Sequence, residues 1–395
     1  MVKIPKVKPL DPMVDWNIKL MNVPMAWQYT KGKGIVVGLI DTSVDITHRD
    51  LGWEGNEQIT GNDSRTEVIR KYSKAMTAVR EERHPTILPG WNFVDQSDYI
   101  ADLDFQRHGT YLAGTIAAVE NGFGTTGIAP EAKIRPYVVI NKARRTTPKA
   151  RRTTPDMVGE AIIRAINDGC DVINISLVSW KSDYLDTALD RAMDKDIIVV
   201  LPTGNDNRAS CRYPASTGKG IIVGGCNAIG KRWVHGKHLG SNYGEPMLCI
   251  TPADAQVSLN TWRSRFTKAE ATSQAAANMS GVVALMLSMV KDNVKTLISE
   301  NCSLPVSTEE EGYGVPDVGK IIKYLHEQYN VTDISKVIAE LRCHVARISG
   351  ELALMDKTIG ELLPLKSGSF LFRRRVLLHR FSTGVISGSP CPTER

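Results

Sequence analysis

Three residues of this chain have the types and the surroundings that nucleophilic hydrolysis needs. Asp41 follows an apolar run, His108 opens an apolar, helix-like stretch, and Ser273 opens another. In a nucleophilic hydrolase, a serine hydroxyl attacks a carbonyl carbon, an imidazole accepts the hydroxyl proton, and a carboxylate fixes the imidazole tautomer and stabilises its charged form. Every long chain contains these residue types, so the types alone predict little. Their positions at strand ends and helix starts are more informative, because side chains there are held rigidly at one edge of a parallel sheet.

Short apolar runs alternate with helix-like stretches along the chain, which is typical of a parallel sheet with helices on both faces. The apolar runs predict strands at 35–40, 134–140, 172–176, 197–201 and 221–223. Helices are predicted at 110–118, 155–168, 182–195 and 278–290. Residues 53–89 show no clear period and carry many charges, so we predict a surface excursion before the strand that contains Trp91. The expected fold class is α/β, a three-layer α/β/α architecture with a mostly parallel central sheet.

The strings around Asp41, His108 and Ser273 resemble the subtilisin-like serine proteases, in which Asp, His and Ser follow one another in this order. The similarity extends from about residue 8 to about residue 326. The strings that carry it are VGLIDTSVDITHRDL (37–51), HGTYLAGTIAA (108–118), GIAPEAKIRPYVV (127–139), DVINISL (171–177), GNDN (204–207), YPAS (213–216), ATSQAAANMSGVVALML (271–287) and GYGVPD (312–317). The resemblance implies the subtilisin-like fold and a serine endopeptidase that hydrolyses peptide bonds of protein or peptide substrates through an acyl-enzyme on Ser273.

The resemblance also implies roles for single residues. Asp41, His108 and Ser273 would form the catalytic triad, and the side-chain amide of Asn205 would donate to the oxyanion of the tetrahedral intermediate. The residues implied in substrate binding are Ser176, Leu177, Val178, Thr203 and Gly204. Taken singly, Asp41 and Asn205 also suit turns, and Ser273 also suits a helix N-cap.

Several residues around the predicted cleft depart from the family pattern. Tyr111 stands where a second histidine is usual, and Val178 stands where a glycine normally lets substrate backbone lie flat as an added strand. The others are Ser43, Pro202, Thr203, Ala271 and Ala277. None of these changes removes a proton-transfer group or an oxyanion donor, which favours an active peptidase with a reshaped cleft. The alternative is a catalytically weak or inactive relative that binds polypeptide.

A second set of residues is implied by the resemblance to hold a structural calcium ion. In the family, a glycine-bearing loop after the helix of the catalytic histidine supplies carbonyl and amide oxygens, and a carboxylate joins them. Oxygen ligands of mixed type suit Ca²⁺. The residues implied here are Asp11, Asp50, Val119, Asn121, Phe123 and Thr125. The alternative is an ordinary loop that ends a helix, in which Gly122 and Gly124 supply backbone with positive φ.

Composition argues against several other classes of protein. The 395 residues are 42% hydrophobic and 23% charged, with a formal net charge of +6, and Lys and Arg are scattered, so we predict a mixed, solvated surface and no nucleic-acid partner. The seven cysteines form no CxxC pair, which argues against structural zinc, while one or two disulfides stay possible. The sequence has no run of about 18 apolar residues, so no membrane span is predicted. The N-terminus lacks an apolar signal core, yet the resemblance implies an extracellular or secretory-pathway location.

The domain organisation predicted from these patterns has three parts. They are a catalytic domain at 1–329, a heptad-patterned helical extension at 330–364 and a basic, disordered tail at 365–395. Apolar residues recur at spacings of four and three from Ile334 to Leu362, which predicts self-association through 334–362 or, equally, a helix packed on the first domain. The tandem repeat KARRTTP at 142–155 predicts an exposed loop, and the alternative is a basic arm near the cleft that favours acidic substrates.

Overall fold

The computed structural model describes residues 15–53, 58–59, 62–102, 107–140, 153–261, 264–290 and 293–328. Asp11, most of the tandem repeat, the heptad pattern at 334–362 and the basic tail lie outside the described residues and stay predictions. Contacts divide the chain into two compact units, Met1–Glu327 and Gln328–Arg395. The predicted domain boundaries at 329 and 364 likewise stay predictions.

A parallel sheet lies at the centre of the described residues. Its strands are β1 (Val36–Asp41), β2 (Trp91–Asn92), β3 (Lys133–Val138), β4 (Val172–Ile175), β5 (Ile198–Pro202), β6 (Ile221–Cys226) and β7 (Cys249–Pro252). They lie in the order β2-β3-β1-β4-β5-β6-β7, and every neighbouring pair is parallel. Strands β4 and β6 are buried at every position, as expected for strands covered on both faces. The predicted strands are confirmed with small shifts at their ends. Strand β7 and the antiparallel pair β8 (Gln256–Asn260) and β9 (Arg265–Ala269) are not among the predicted elements.

Helices cover both faces of this sheet. They are α1 (Trp16–Leu20), α2 (Val23–Ala26), α3 (Arg65–Arg80), α4 (His108–Ala117), α5 (Pro155–Asn167), α6 (Asp183–Met193), α7 (Thr272–Leu287), α8 (Val294–Glu300) and α9 (Val318–Gln328). Helix α7 packs on α4 and contacts β4 to β7, and all of its residues are buried. Helices α5 and α6 pack on each other, with α5 against β1 and α6 against β5. The three-layer α/β/α fold with a mostly parallel sheet is therefore confirmed.

The strand order reverses direction at β1. Strands β3 and β2 follow on one side of β1, and β4 to β7 follow on the other side. Proteins with open parallel sheets bind ligands outside the carboxyl ends of the strands at such a point. The register pairs Ile40 with Ile175, which places the next residues, Asp41 and Ser176, side by side at the ends of β1 and β4.

The region predicted as an irregular surface excursion contains a long helix, so the prediction is wrong for α3. The Ser64 hydroxyl accepts the backbone N–H of Glu67, and the Glu67 carboxylate accepts the backbone N–H of Ser64. One face of α3 packs into the core through Tyr72, Met76 and Val79. The signal for this helix is present in the sequence as a capping box, a serine followed three residues later by glutamate. The many charges on the exposed face hide the helical period.

The cysteines of the described residues are not paired. Cys170, Cys211, Cys226, Cys249 and Cys302 are free thiols. Burial raises the pKa of Cys170 to about 11, so this thiol is neutral at pH 7. Cys343 and Cys391 lie outside the described residues. In the same part of the chain, the helices are too short or too polar to cross a membrane.

Buried His84 is expected to make the protein less stable in acid. Its Nδ1 accepts the N–H groups of Thr86 (3.2 Å) and Ile87 (3.0 Å), and its Nε2 donates to the Ile46 carbonyl at 2.8 Å. Burial, helped by the charge of Lys133, lowers its pKa to about 4. The folded state therefore keeps the ring neutral while the unfolded chain takes up a proton near pH 6.5. The free energy of unfolding should be unaffected above pH 6.5 and should fall by about 3 kcal/mol as the pH drops toward 4.

Denaturant unfolding at pH 7.5 and pH 4.5 measures this loss, with His84→Gln as the matched variant. The variant should be less stable at pH 7.5 but should lose less stability on acidification than the wild type. Equal losses in the two proteins would show that other groups cause the acid sensitivity.

Candidate active site

The last residue of β1 and the first residue of α4 are in direct contact. His108 Nδ1 lies 2.8 Å from each carboxylate oxygen of Asp41. Asp41 is fully buried, whereas the His108 side chain is 31% exposed. The backbone N–H of Thr42 donates to Asp41 Oδ1 at 2.7 Å, which holds the carboxylate in place. Because a carboxylate accepts hydrogen bonds, the proton of the neutral imidazole belongs on Nδ1, and Nε2 is the basic nitrogen.

The backbones of β1 and α4 touch where these two residues meet. A Cβ atom on Gly109 would lie 2.4 Å from the Thr42 carbonyl oxygen, so only glycine fits there. The Gly109 N–H also donates to Thr42 Oγ1 at 2.8 Å. Arg107, directly before His108, has φ 68°, and its N–H donates to Asp102 Oδ2 at 3.0 Å, which helps to hold this strained backbone. Strain at Arg107 is not visible in the sequence.

Ser273 is the second residue of α7 and lies beside the end of β4. Its side chain is buried to 7% exposure, and its hydroxyl donates to the Ser176 carbonyl at 3.5 Å. The Ser176 hydroxyl in turn donates to the Ser273 carbonyl at 3.3 Å. The N-cap of α7 is Ala271, so Ser273 is not a capping residue. Because Asp41 and Ser176 end neighbouring strands, these bonds place Ser273 at the same sheet edge as Asp41 and His108.

Asn205 is oriented by Thr272, the residue directly before Ser273. The Thr272 N–H and hydroxyl both donate to Asn205 Oδ1, at 2.8 and 2.9 Å. Thr272 Oγ1 also accepts the N–H of Gly204 at 3.3 Å. Since both donors reach Oδ1, they fix which end of the amide faces Thr272, and Nδ2 is at the other end. Thr272 is a site residue that the sequence reasoning missed. The signal was a threonine directly before Ser273 in the string ATSQAAANMSGVVALML.

The predicted substrate-binding residues lie in the two segments that follow the neighbouring strands β4 and β5. Leu177 and Val178 line a small cavity of ≈ 70 Å³, together with Ile140, Thr153, Val158, Ile175, Ser179, Leu185 and Pro214. Val178 is 52% exposed, so its side chain protrudes where the family usually has glycine. Thr203 has no exposed surface, and its carbonyl accepts the Arg212 N–H at 2.8 Å. The Arg212 side chain, next to Thr203, is exposed.

Tyr111, which replaces the family's second histidine, points away from the cleft. Its hydroxyl donates to the backbone carbonyl of Gln256, and the residue is 3% exposed. Burial raises the pKa of Tyr111 well above its ordinary value, so the phenol stays neutral. The side chain therefore ties α4 to β8 and takes no part in proton transfer.

The loop predicted to bind calcium surrounds Asp50 with nitrogen donors. Asp50 is fully buried, and its Oδ2 accepts the Thr125 N–H at 2.9 Å. Asn121 turns its Nδ2 toward Asp50 Oδ1 (3.5 Å) and the Arg49 carbonyl (3.2 Å), because its Oδ1 accepts the Phe123 N–H at 2.9 Å. An amide nitrogen does not bind Ca²⁺, which needs oxygen ligands. In this arrangement Asp50 and Asn121 do not fit a calcium ion.

The other described residues of the predicted calcium set are implied as carbonyl ligands. Val119, Phe123 and Thr125 belong to the same loop, in which Gly122 and Gly124 have φ 74° and 55°. Positive φ at both glycines agrees with a loop that ends a helix. Within the described ranges, no cluster of three or more acidic, histidine or cysteine side chains is suited to a metal. Calcium binding stays a prediction of the resemblance.

Thermal unfolding tests calcium binding directly. Because the Asp50 carboxylate is already hydrogen-bonded by Thr125 and Asn121, we expect the same melting temperature in chelator and in millimolar calcium. Asp50→Ala should lower it equally in both media, since it leaves buried N–H groups without an acceptor. A ligand that binds the folded state raises its stability. A higher melting temperature in calcium, lost in Asp50→Ala, would therefore show that Asn121 turns over to bind the ion.

Comparison with known proteins agrees with the fold. The thermophilic serine proteinase of Bacillus sp. (strain AK1) is 29% identical over 273 residues, 68% of this chain and 56% of that protein. The major intracellular serine protease of Bacillus subtilis (strain 168) is 27% identical over 295 residues, 72% of this chain and 78% of that protein. The solved structure of fervidolysin from Fervidobacterium pennivorans, a keratinolytic enzyme related to subtilisin, has a TM-score of 0.60 and 22% identity, and covers 82% of this chain and 49% of that chain.

These relatives extend beyond the part that the chain matches, and they do not settle its location. The chain spans 56% of the thermophilic proteinase and 37% of the fervidolysin sequence. One relative is named an intracellular protease, so the predicted secretory location stays a prediction. A model of the Subtilase family matches residues 32–314, which include the Asp41–His108 pair, Asn205 and Ser273. The chain therefore belongs to the subtilase family.

Proposed function

We propose that this chain is a serine endopeptidase with Asp41, His108 and Ser273 as its catalytic triad and Asn205 as its oxyanion donor. The observation that carries the proposal is the buried Asp41 carboxylate, with both oxygens 2.8 Å from His108 Nδ1. A buried carboxylate in that position sets the tautomer that leaves Nε2 able to accept a proton. The family supplies relatives named serine proteases, which supports the same activity.

In the proposed reaction, Ser273 Oγ leaves its weak bond with Ser176 and attacks the carbonyl carbon of the substrate peptide bond. His108 Nε2 takes the hydroxyl proton, and Asp41 stabilises the imidazolium that forms. The carbonyl oxygen becomes an oxyanion and accepts a hydrogen bond from Asn205 Nδ2, at the positive end of α7. When the C–N bond breaks, the amine leaves with the proton from His108. A water molecule then attacks the ester on Ser273, again with His108 as the base, and releases the acid.

Polypeptide is the substrate class that suits the cleft. An extended chain would lie along 176–178, and one of its apolar side chains would enter the cavity lined by Leu177 and Val178. Gly204 and Arg212 do not line this cavity, so it would receive a different side chain from the one beside Arg212. The exposed Val178 side chain prevents the backbone from lying as flat as glycine would allow. We therefore expect a narrower choice of side chains next to the cleaved bond than a glycine at 178 would permit.

Labelling with a fluorophosphonate tests the proposal, because only an activated serine reacts with this probe. The wild-type chain should be labelled, and Ser273→Ala and His108→Ala should not. Casein hydrolysis should follow the same order. A folded wild-type protein that resists the probe, yet binds peptides, would instead support the alternative of an inactive relative that binds polypeptide.

A further inference from the structure

Arg212 lies across Gly204, directly beside the proposed oxyanion donor Asn205. A Cβ atom on Gly204 would lie 2.6 Å from Arg212 Cγ, so the alkyl part of the arginine covers this glycine. The Arg212 N–H donates to the Thr203 carbonyl at 2.8 Å, and the next residue, Tyr213, accepts the Ser179 N–H at 2.9 Å. These two bonds hold the backbone of Arg212 and Tyr213 between the segments that follow β4 and β5.

The proposed reaction brings one substrate side chain to this place. The attacked carbonyl carbon must lie at Ser273 Oγ, with its oxygen toward Asn205 Nδ2. The side chain of the same substrate residue branches from the adjacent Cα atom, about 1.5 Å from the carbonyl carbon. It therefore lies close to Ser176 and to Gly204, where Arg212 covers the glycine.

The group that Arg212 presents beside Gly204 is a hydrogen-bond donor. Arg212 Nε lies 3.2 Å from Asp206 Oδ2, and the two side chains are 48% and 36% exposed. The Asp206 carboxylate also accepts from Asn242 Nδ2 at 3.3 Å, so part of its acceptor capacity is used. Among the described residues, the guanidinium has no hydrogen-bonding or ionic partner besides Asp206. Its terminal nitrogens remain for water or for a ligand that accepts hydrogen bonds.

We propose that Arg212 selects substrates with aspartate or glutamate at the residue that supplies the attacked carbonyl. This inference rests on the proposed function and names the substrate class of the same site. A carboxylate of the substrate accepts hydrogen bonds from the terminal guanidinium nitrogens, a geometry that arginine offers and a neutral side chain cannot replace. The alkyl part of Arg212 over Gly204 also narrows the room for an aromatic ring. Asp206 holds Nε and so keeps the arginine in place.

Peptidyl phosphonates test this selection without the need for turnover, because they react once with the activated serine. Four probes that differ only in the side chain next to phosphorus, Glu, Gln, Lys and Phe, are compared by second-order rate constants of inactivation. Wild-type protein should react with the Glu probe faster than with the Gln probe by on the order of 10- to 100-fold, the range for hydrogen bonds to a charged group. Arg212→Ala should abolish this preference and raise the rate with the Phe probe.

Matched controls separate a local effect from the overall charge. Arg208→Ala removes an exposed arginine close by in sequence and should keep the Glu preference. Asp206→Asn should keep the Glu preference, because the asparagine oxygen can still accept from Arg212 Nε while the competing carboxylate charge is gone. A Glu preference that survives in Arg212→Ala, or that is absent from the wild type, overturns the inference.

A simple fluorophosphonate without a peptide separates the two proposals. If it labels Ser273 while the Glu probe shows no advantage, the inference about Arg212 fails and the proposed peptidase stands. If it does not label the folded protein at all, the proposed function fails, and the selection by Arg212 fails with it.

Discussion

Replacing Ser273 by alanine is expected to lower kcat/KM by a factor on the order of 10⁴ to 10⁶, because the attacking oxygen is lost while the fold is kept. Among the described residues, the Ser273 hydroxyl donates only to the Ser176 carbonyl, at 3.5 Å, so its removal should change the stability little. His108→Ala should have a similar effect on the rate, because the nucleophile then has no base. Peptide hydrolysis under single-turnover conditions measures both losses.

Asp41→Asn is the most informative change at the carboxylate. Alanine at 41 would leave the Thr42 N–H and His108 Nδ1 buried without an acceptor, which costs about 1–3 kcal/mol for each group and confuses folding with catalysis. Asparagine keeps the size and still accepts from Thr42. Its NH₂ group would then face His108 Nδ1 and force the proton to Nε2, the wrong tautomer. We expect a loss on the order of 10⁴ in kcat.

Double variants distinguish a triad from three independent residues. Members of a catalytic unit are not additive, because the loss of one makes the others useless. Ser273→Ala combined with His108→Ala should therefore be scarcely worse than either single change. Additive losses would contradict the assignment, even if each single variant is slow.

Replacing Asn205 by alanine is expected to lower kcat by on the order of 10² to 10³, the range for loss of one oxyanion donor. Little change in KM is expected, because the amide binds the tetrahedral intermediate more strongly than the ground state. Asn205→Asp should be slower still. Its oxygens would accept from Thr272 just as well, but a negative charge would then face the developing oxyanion. Steady-state kinetics on one peptide compares the three proteins.

Thr272 offers a separate test of how Asn205 is oriented. Thr272→Val keeps the shape but removes the hydroxyl that donates to Asn205 and accepts from Gly204. The amide then has one fewer restraint, so kcat should fall by about 10-fold, in line with the loss of one hydrogen bond. Thr272→Ser keeps the hydroxyl and is the matched control. If Val and Ser variants have the same kcat, Thr272 does not position Asn205.

Much of the fold could be predicted because its signals are local. The apolar runs that become β1, β4, β5 and β6 are buried on both faces, so their composition is visible without knowledge of their neighbours. Helix α3 was predictable as well, from its capping box, but charges on its exposed face obscure the period. The short strands β7, β8 and β9 carry weaker signals, since their stability comes from pairing with distant residues.

The groups that can do chemistry here are recognisable from local sequence: an aspartate ending a buried strand, a histidine and a serine opening apolar helices, and an asparagine after a glycine. Local patterns suffice for this, because strand ends and helix starts depend on nearby residues. The contacts of each side chain depend on the tertiary structure. Thr272 holds Asn205, Arg212 covers Gly204, and the Asn121 amide turns its nitrogen toward Asp50. Most of these contacts join residues far apart in the chain, so they depend on how the helices and loops pack, which no single segment encodes.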